Sequence, residues 1–232
     1  MDRNTIITVF LILPLSGYFL GAIPFGYLIG RAKGVNIREH GSGNIGSTNV
    51  GRVLGRKWGL VCFICDVAKG FVPVWWTGRY LHSVFEGTSD SIIPTEAQIA
   101  WLIVAAGCIL GHMFSIYLRF RGGKGVATSL GAIMGIWPYF TLTGLVVLAL
   151  WVAAWGVWRY VSLASIIAAV AFPVAFAVII WRVDRPEWQF INLIPLFVFS
   201  CLMAGLVILR HRANISRLLT GTENRGGKTN DS

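Results

Sequence analysis

Thr5-Ile-Ile-Thr-Val-Phe-Leu-Ile-Leu-Pro-Leu-Ser-Gly-Tyr-Phe-Leu-Gly-Ala-Ile-Pro-Phe-Gly-Tyr-Leu-Ile-Gly30 carries no charged side chain from end to end. A helix rises about 1.5 Å per residue, so roughly 20 such residues cross the ~30 Å hydrocarbon core of a bilayer. The run is too long for the apolar core of a signal peptide and lacks an Ala-x-Ala cleavage pattern, so it reads as a retained span. Comparable runs follow at Trp58–Tyr80, Ala97–Leu118, Val126–Trp137, Phe140–Trp158, Ser162–Trp181 and Phe190–Leu209. The expectation is an all-α integral membrane protein of about seven transmembrane helices. Val126–Trp137 is short for a crossing and Pro138 separates it from the next run, so half of a re-entrant pair is its alternative.

Composition agrees. Of 232 residues, 55% are hydrophobic and 13% charged, with a mean hydropathy of +0.67, which excludes an ordinary soluble domain. The net charge of +10 is segregated along the chain and not interleaved with aromatics, so nucleic-acid binding is not indicated. With the N-terminus outside, the segments 31–57, 119–125, 159–161 and the tail from Arg210 lie inside and hold fifteen of the twenty Lys and Arg. Arg3, Arg79, Arg182 and Arg185 lie outside, among Asp2, Glu86, Asp90, Glu96, Asp184 and Glu187. The positive-inside rule then places the C-terminus in the cytoplasm. One polytopic membrane domain over residues 1–220 and a polar cytoplasmic tail over 221–232 are expected, with no internal repeat. Cys62, Cys65, Cys108 and Cys201 fall inside apolar runs and read as packing residues, neither a disulfide framework nor a metal site.

Two basic, glycine-rich stretches border these runs: Gly41-Ser-Gly-Asn-Ile-Gly-Ser-Thr-Asn-Val-Gly-Arg52 and Arg119-Phe-Arg-Gly-Gly-Lys-Gly-Val-Ala-Thr128. In the first, Gly43 and Gly46 free the backbone so that N–H groups can converge on phosphate oxygens. Ser42, Asn44, Thr48 and Asn49 add donors, and Arg52 offers a bidentate fork. A flexible solvated loop is the competing reading. In the second, Gly122 and Gly123 precede Lys124 at the mouth of an apolar run, where the exposed N–H groups and dipole of a helix start suit a phosphate. The stretch is not a Walker A loop, because Leu118 stands at the place of that motif's first glycine and Gly125 follows the lysine. A plain basic turn is its alternative.

His211 and Asn214 are three apart beyond the last run, hence on one face if that helix continues, among Arg210, Arg212 and Arg217. Ser162 opens the sixth run, where it reads as a helix N-cap or a substrate contact. Asp66 and Lys69 lie three apart inside the second run, each costing roughly 2.5–3.5 kcal/mol at mid-membrane, so they pair with each other or face a polar cavity. Metal-protease, nucleophile-elbow and His-x4-Asp patterns are missing, and acids are too sparse inside for a magnesium-dependent transferase. No metal or cofactor is expected.

Ser42-Gly-Asn-Ile-Gly-Ser-Thr-Asn-Val-Gly-Arg52, Gly111-His112, Phe120-Arg-Gly-Gly-Lys-Gly-Val-Ala-Thr128, Tyr160-Val-Ser162, His211-Arg-Ala-Asn-Ile215 and Gly221-Thr-Glu223 occur in this order. Together they closely resemble the bacterial acyl-phosphate:glycerol-3-phosphate acyltransferases of the PlsY type, over roughly residues 17 to 225. Ser47 departs from the alanine many relatives carry. The resemblance implies a seven-helix enzyme of the bacterial inner membrane with its active site facing the cytoplasm. It would move a fatty acyl group from acyl phosphate, not acyl-CoA or acyl carrier protein, to the 1-hydroxyl of glycerol 3-phosphate. The products would be lysophosphatidic acid and phosphate, in the first step of phospholipid synthesis. It implies a site lined by Ser42, Thr48, Asn49, Arg52, Lys124, Ser162, His211 and Asn214 and supported by Glu223, with membrane lipid and the enzyme that makes acyl phosphate as partners. With that resemblance, His211, Asn214, Lys124 and Ser162 are the catalytic candidates. A transporter of an organic phosphate is the runner-up, but it should show two-repeat symmetry and midplane binding groups.

Overall fold

The computed structural model describes residues 3–85, 93–183 and 188–225, and every regular element among them is helical. The helices are α1 (Arg3–Ile7), α2 (Leu13–Ala22), α3 (Phe25–Ala32), α4 (Ser47–Leu54), α5 (Arg56–Phe85), α6 (Thr95–Met113), α7 (Val126–Gly135), α8 (Thr141–Trp158), α9 (Val161–Arg182), α10 (Ile194–Arg210) and α11 (Arg212–Leu219). Six stretches are long and apolar enough to cross a membrane: Arg3–Ala32, Arg56–Phe85, Thr95–Leu118, Thr141–Trp158, Val161–Arg182 and Phe190–Arg210. The fourth run, Val126–Trp137, forms α7, whose ten residues reach about 15 Å, half a crossing. Asp2, Glu86, Asp90, Asp184, Arg185, Glu187 and Lys228 lie outside the described residues, as does the tail beyond Arg225.

The chain forms two compact units, one built on α1–α7 and the other on α8–α11. In the first unit the opening span is broken at Pro24, whose ring excludes the helical region for the residue before it. Ile23 accordingly turns to ψ 118°. The break frees carbonyls that lipid cannot satisfy, and other helices supply the donors. Ser115 Oγ donates to the Ala22 carbonyl at 2.6 Å, and Lys69 Nζ to that of Ile23 at 2.7 Å. Small residues four apart let the backbones touch. A Cβ at Gly21 of α2 would lie 2.2 Å from the Cys108 carbonyl oxygen, and one at Gly111 of α6 2.3 Å from that of Tyr18. α7 lies on α5 the same way, with a Cβ at Gly131 meeting the Val67 carbonyl oxygen at 2.0 Å.

The second unit is held by aromatic packing. Phe140, fully buried, meets Phe172 and Phe176 edge-on at 5.0 and 4.8 Å between ring centroids. α9 packs against both α8 and α10. Val157, Trp181 and Leu202 turn outward, an apolar exterior that suits lipid.

Candidate active site

In the first unit, Asn49 decides the shape of the Gly41–Gly46 loop. It is buried, its Nδ2 donates to the carbonyls of Ile37 and His40 at 3.1 Å each, and its Oδ1 accepts from the Ser42 N–H at 2.8 Å. Asn44 Oδ1 accepts from the Gly46 N–H at 2.8 Å, and the Gly43 N–H donates to His40 O at 3.0 Å. Gly43, at φ 68°, takes a left-handed conformation that a side chain would strain. The N–H groups of Ser42, Gly43 and Gly46 therefore hold the loop together and do not converge outward. What the loop offers outward is its hydroxyls and the tip of α4: Ser42 and Thr48 are exposed, and the N–H groups of Ser47 and Thr48 precede the first bonded amides of the helix, those of Asn49 and Val50, which donate to Gly46 O at 3.0 and 3.1 Å. Arg52 lies one turn after Thr48 on the same face, half-buried and without a carboxylate among the described residues.

The second stretch corrects the expectation for its glycines. The Gly122 N–H donates to Met113 O at 3.2 Å and the Gly123 N–H to His112 O at 3.0 Å, so both amides turn inward. A Cβ at Gly122 would meet His112 O at 2.0 Å and one at Gly123 would meet His112 Nε2 at 2.2 Å. These positions are glycine because the turn lies flat on His112. Gly125, at φ 84°, caps α7, leaving the first-turn N–H groups of that helix and the half-buried Lys124 as the cationic end.

Asp66 and Lys69 do pair, with Lys69 Nζ 2.7 Å from Asp66 Oδ1. The pair extends to His112, whose Nδ1 is 3.6 Å from the same oxygen, and to Cys62, whose Sγ is 3.6 Å from Asp66 Oδ2. All four side chains are buried. Sequence reasoning placed His112 in a motif without assigning it a role. Its nearness to Asp66 joins residues 46 apart, which no spacing rule reaches.

In the second unit two expectations are corrected. α10 does not continue through His211: it ends at Arg210, and α11 starts at Arg212. His211 Nδ1 lies 2.8 Å from Val207 O one turn back, fixing the ring at the junction. A carbonyl only accepts, so Nδ1 carries the hydrogen and Nε2 is the acceptor nitrogen of the neutral ring. Nor is Ser162 a cap. Tyr160 stands at the N-cap without a side-chain bond, and Ser162 is the second residue of α9. Its Oγ donates to Glu223 Oε1 at 2.8 Å. Asn214 Nδ2 donates to the same oxygen at 2.6 Å, and Arg217 Nε to Oε2 at 2.7 Å. Burial pushes the Glu223 carboxyl up, but the bonds from Asn214, Ser162 and Arg217 and the Arg217 charge outweigh it and hold it below the usual carboxylate range. Glu223 thus ties the start of α9 to α11.

The first unit carries two half-buried cations, Arg52 in the last turn of α4 and Lys124 just before α7. The second carries a buried histidine at a helix junction and, three residues on, a carboxylate-held asparagine. The family described as "Glycerol-3-phosphate acyltransferase" matches residues 11–221. This chain belongs to that family. The glycerol-3-phosphate acyltransferase of Trichlorobacter lovleyi is 40% identical over 90% of this chain and 93% of its own length. That of Geobacter sulfurreducens is 43% identical over 93% and 96%. The solved structure of PlsY (YgiH), an integral membrane glycerol 3-phosphate acyltransferase, in its glycerol 3-phosphate form superposes with a TM-score of 0.75 at 36% identity, covering 94% of this chain and 95% of that one. Its lysophosphatidic acid form gives 0.73 at 35%. The chain is an all-helical integral membrane acyltransferase.

Proposed function

We propose that this acyltransferase moves a fatty acyl group from acyl phosphate to the 1-hydroxyl of glycerol 3-phosphate, releasing lysophosphatidic acid and inorganic phosphate. The observation that carries the reading is a relative of nearly equal length whose solved forms hold glycerol 3-phosphate and lysophosphatidic acid, compounds that differ by one acyl group. The donor class is what the resemblance to the acyl-phosphate-dependent enzymes implies, and the charge of Arg52 and Lys124 suits phosphoryl oxygens.

Acyl phosphate is already activated, so positioning and charge stabilisation suffice and no covalent enzyme nucleophile is needed. The hydroxyl oxygen attacks the carbonyl carbon, the carbon–oxygen bond to phosphate breaks, and phosphate leaves. The hydroxyl proton passes to His211 Nε2 or to a substrate phosphate oxygen. Ser42, Thr48, Arg52 and Lys124 contact phosphate. Gly43, Asn44, Gly46 and Asn49 hold the first loop in shape, and Gly122 and Gly123 seat the second. Asn214 orients the reacting groups, held by Glu223 with Ser162. The N-terminus lies outside and the reaction faces the cytoplasm of a bacterial inner membrane, where the enzyme that makes acyl phosphate supplies the donor.

Purified protein in detergent tests the donor. Acyl phosphate with glycerol 3-phosphate should yield lysophosphatidic acid, and acyl-CoA in its place should yield none. Equal turnover with acyl-CoA would overturn the proposed donor.

A further inference from the structure

The buried Asp66 carboxylate lies against two side chains, Cys62 and His112, each of which touches one of the phosphate-binding stretches. Toward the first, Cys62 Sγ lies 3.6 Å from Asp66 Oδ2 and 3.9 Å from the carbonyl of Ile45, the residue between Asn44 and Gly46. That carbonyl is pressed on Gly26 of α3, where a Cβ would come within 1.8 Å of its oxygen. Toward the second, His112 Nδ1 lies 3.6 Å from Asp66 Oδ1, and the same histidine supports Gly122 and Gly123 through its carbonyl and its ring. Lys69 completes the cluster, held between Asp66 and the carbonyl that the Pro24 break exposes at Ile23. Asp66, Lys69 and His112 are each at least nine-tenths buried, and Cys62 wholly so. A charge at this depth is costly unless satisfied, yet two apolar residues would fill the space without that cost.

We infer that Asp66 is a positioning residue that fixes the Ser42–Arg52 loop and the Gly122–Lys124 turn relative to each other, acting on the first through Cys62 and on the second through His112. The inference rests on the reading of both stretches as phosphate-binding. Displacing a binding group by about an ångström weakens substrate binding without removing any contact residue, so the loss falls on KM.

Steady-state kinetics with both substrates, on Asp66→Asn and on His112→Gln purified in detergent, test it. Each variant should raise KM for at least one phosphate substrate about tenfold while kcat falls less than about threefold, a split that partial unfolding does not produce because it lowers active enzyme and leaves KM alone. In a Lys124→Ala background, titrated with inorganic phosphate, His112→Gln should weaken binding less than about twofold further, because both changes act on one turn. Unchanged KM values in a folded variant, additive losses with Lys124→Ala, or failure of both variants to fold would overturn the inference. If Lys124→Ala alone leaves phosphate binding and both KM values intact, the phosphate-binding reading of the turn fails instead.

Discussion

Arg52 reaches outward from the fourth position after Thr48 on α4, and no carboxylate among the described residues competes for its guanidinium. A planar fork matches two phosphoryl oxygens at once, whereas an ammonium offers a point charge. Arg52→Lys should therefore raise KM for one phosphate substrate about tenfold, the worth of one charged hydrogen bond at roughly 1.5 kcal/mol, in a protein that still folds. Substrate titrations of the purified variant would show it; an unchanged KM for both would place Arg52 outside the site. His211 divides the two routes for the proton. Its Nδ1 is committed to Val207 O, which leaves Nε2 to accept. Replacement by Gln removes the imidazole: if it is the base, kcat falls about 10²-fold or more and its pH dependence changes, whereas near-normal turnover with an unchanged profile assigns the proton to phosphate.

At the scale of elements, Glu223 is the joint between α9 and α11. Its carboxyl is held below the ordinary range in the folded chain. The stabilisation it gives is therefore complete above the usual carboxylate pKa, and it is lost as pH falls through the lower folded value. Glu223→Gln should lower the thermal midpoint by the equivalent of about 1–3 kcal/mol at neutral pH, and the gap to the wild type should close in acid. A gap that persists at low pH would mean the carboxylate is not what holds the junction. How far these elements could be read from sequence follows from what each depends on. The spans were legible because uninterrupted apolar runs have few other uses, and α7 because its shortness is a matter of length alone. The end of α10 at Arg210 was not, since nothing in Leu209-Arg-His-Arg212 breaks a helix, yet His211 leaves the helical conformation at φ −99° and ψ 6°. Ser162 misled for a related reason: a serine at a helix start resembles a cap until its partner, Glu223, is known 61 residues on.

For the whole molecule, the family and its chemistry were legible in the order of the motifs, and the candidate residues in the types they contain. The connections between them were not. Gly122 and Gly123 suggested amides open to a ligand, and only the placement of His112 beneath them explains why they lack side chains. Asp66 and Lys69 were visible as a costly pair inside a span, but the pair's reach to Ile45 and His112 depends on how α3, α5 and α6 pack. The account's central claim is that this membrane chain couples acyl phosphate to glycerol 3-phosphate. The most direct measurement is phosphate release by the purified protein with each substrate alone and with both, alongside quantified lysophosphatidic acid. Phosphate should appear only with both substrates, one for each lysophosphatidic acid formed. Release that ignores glycerol 3-phosphate, or uptake of it into liposomes with no product, would contradict the claim.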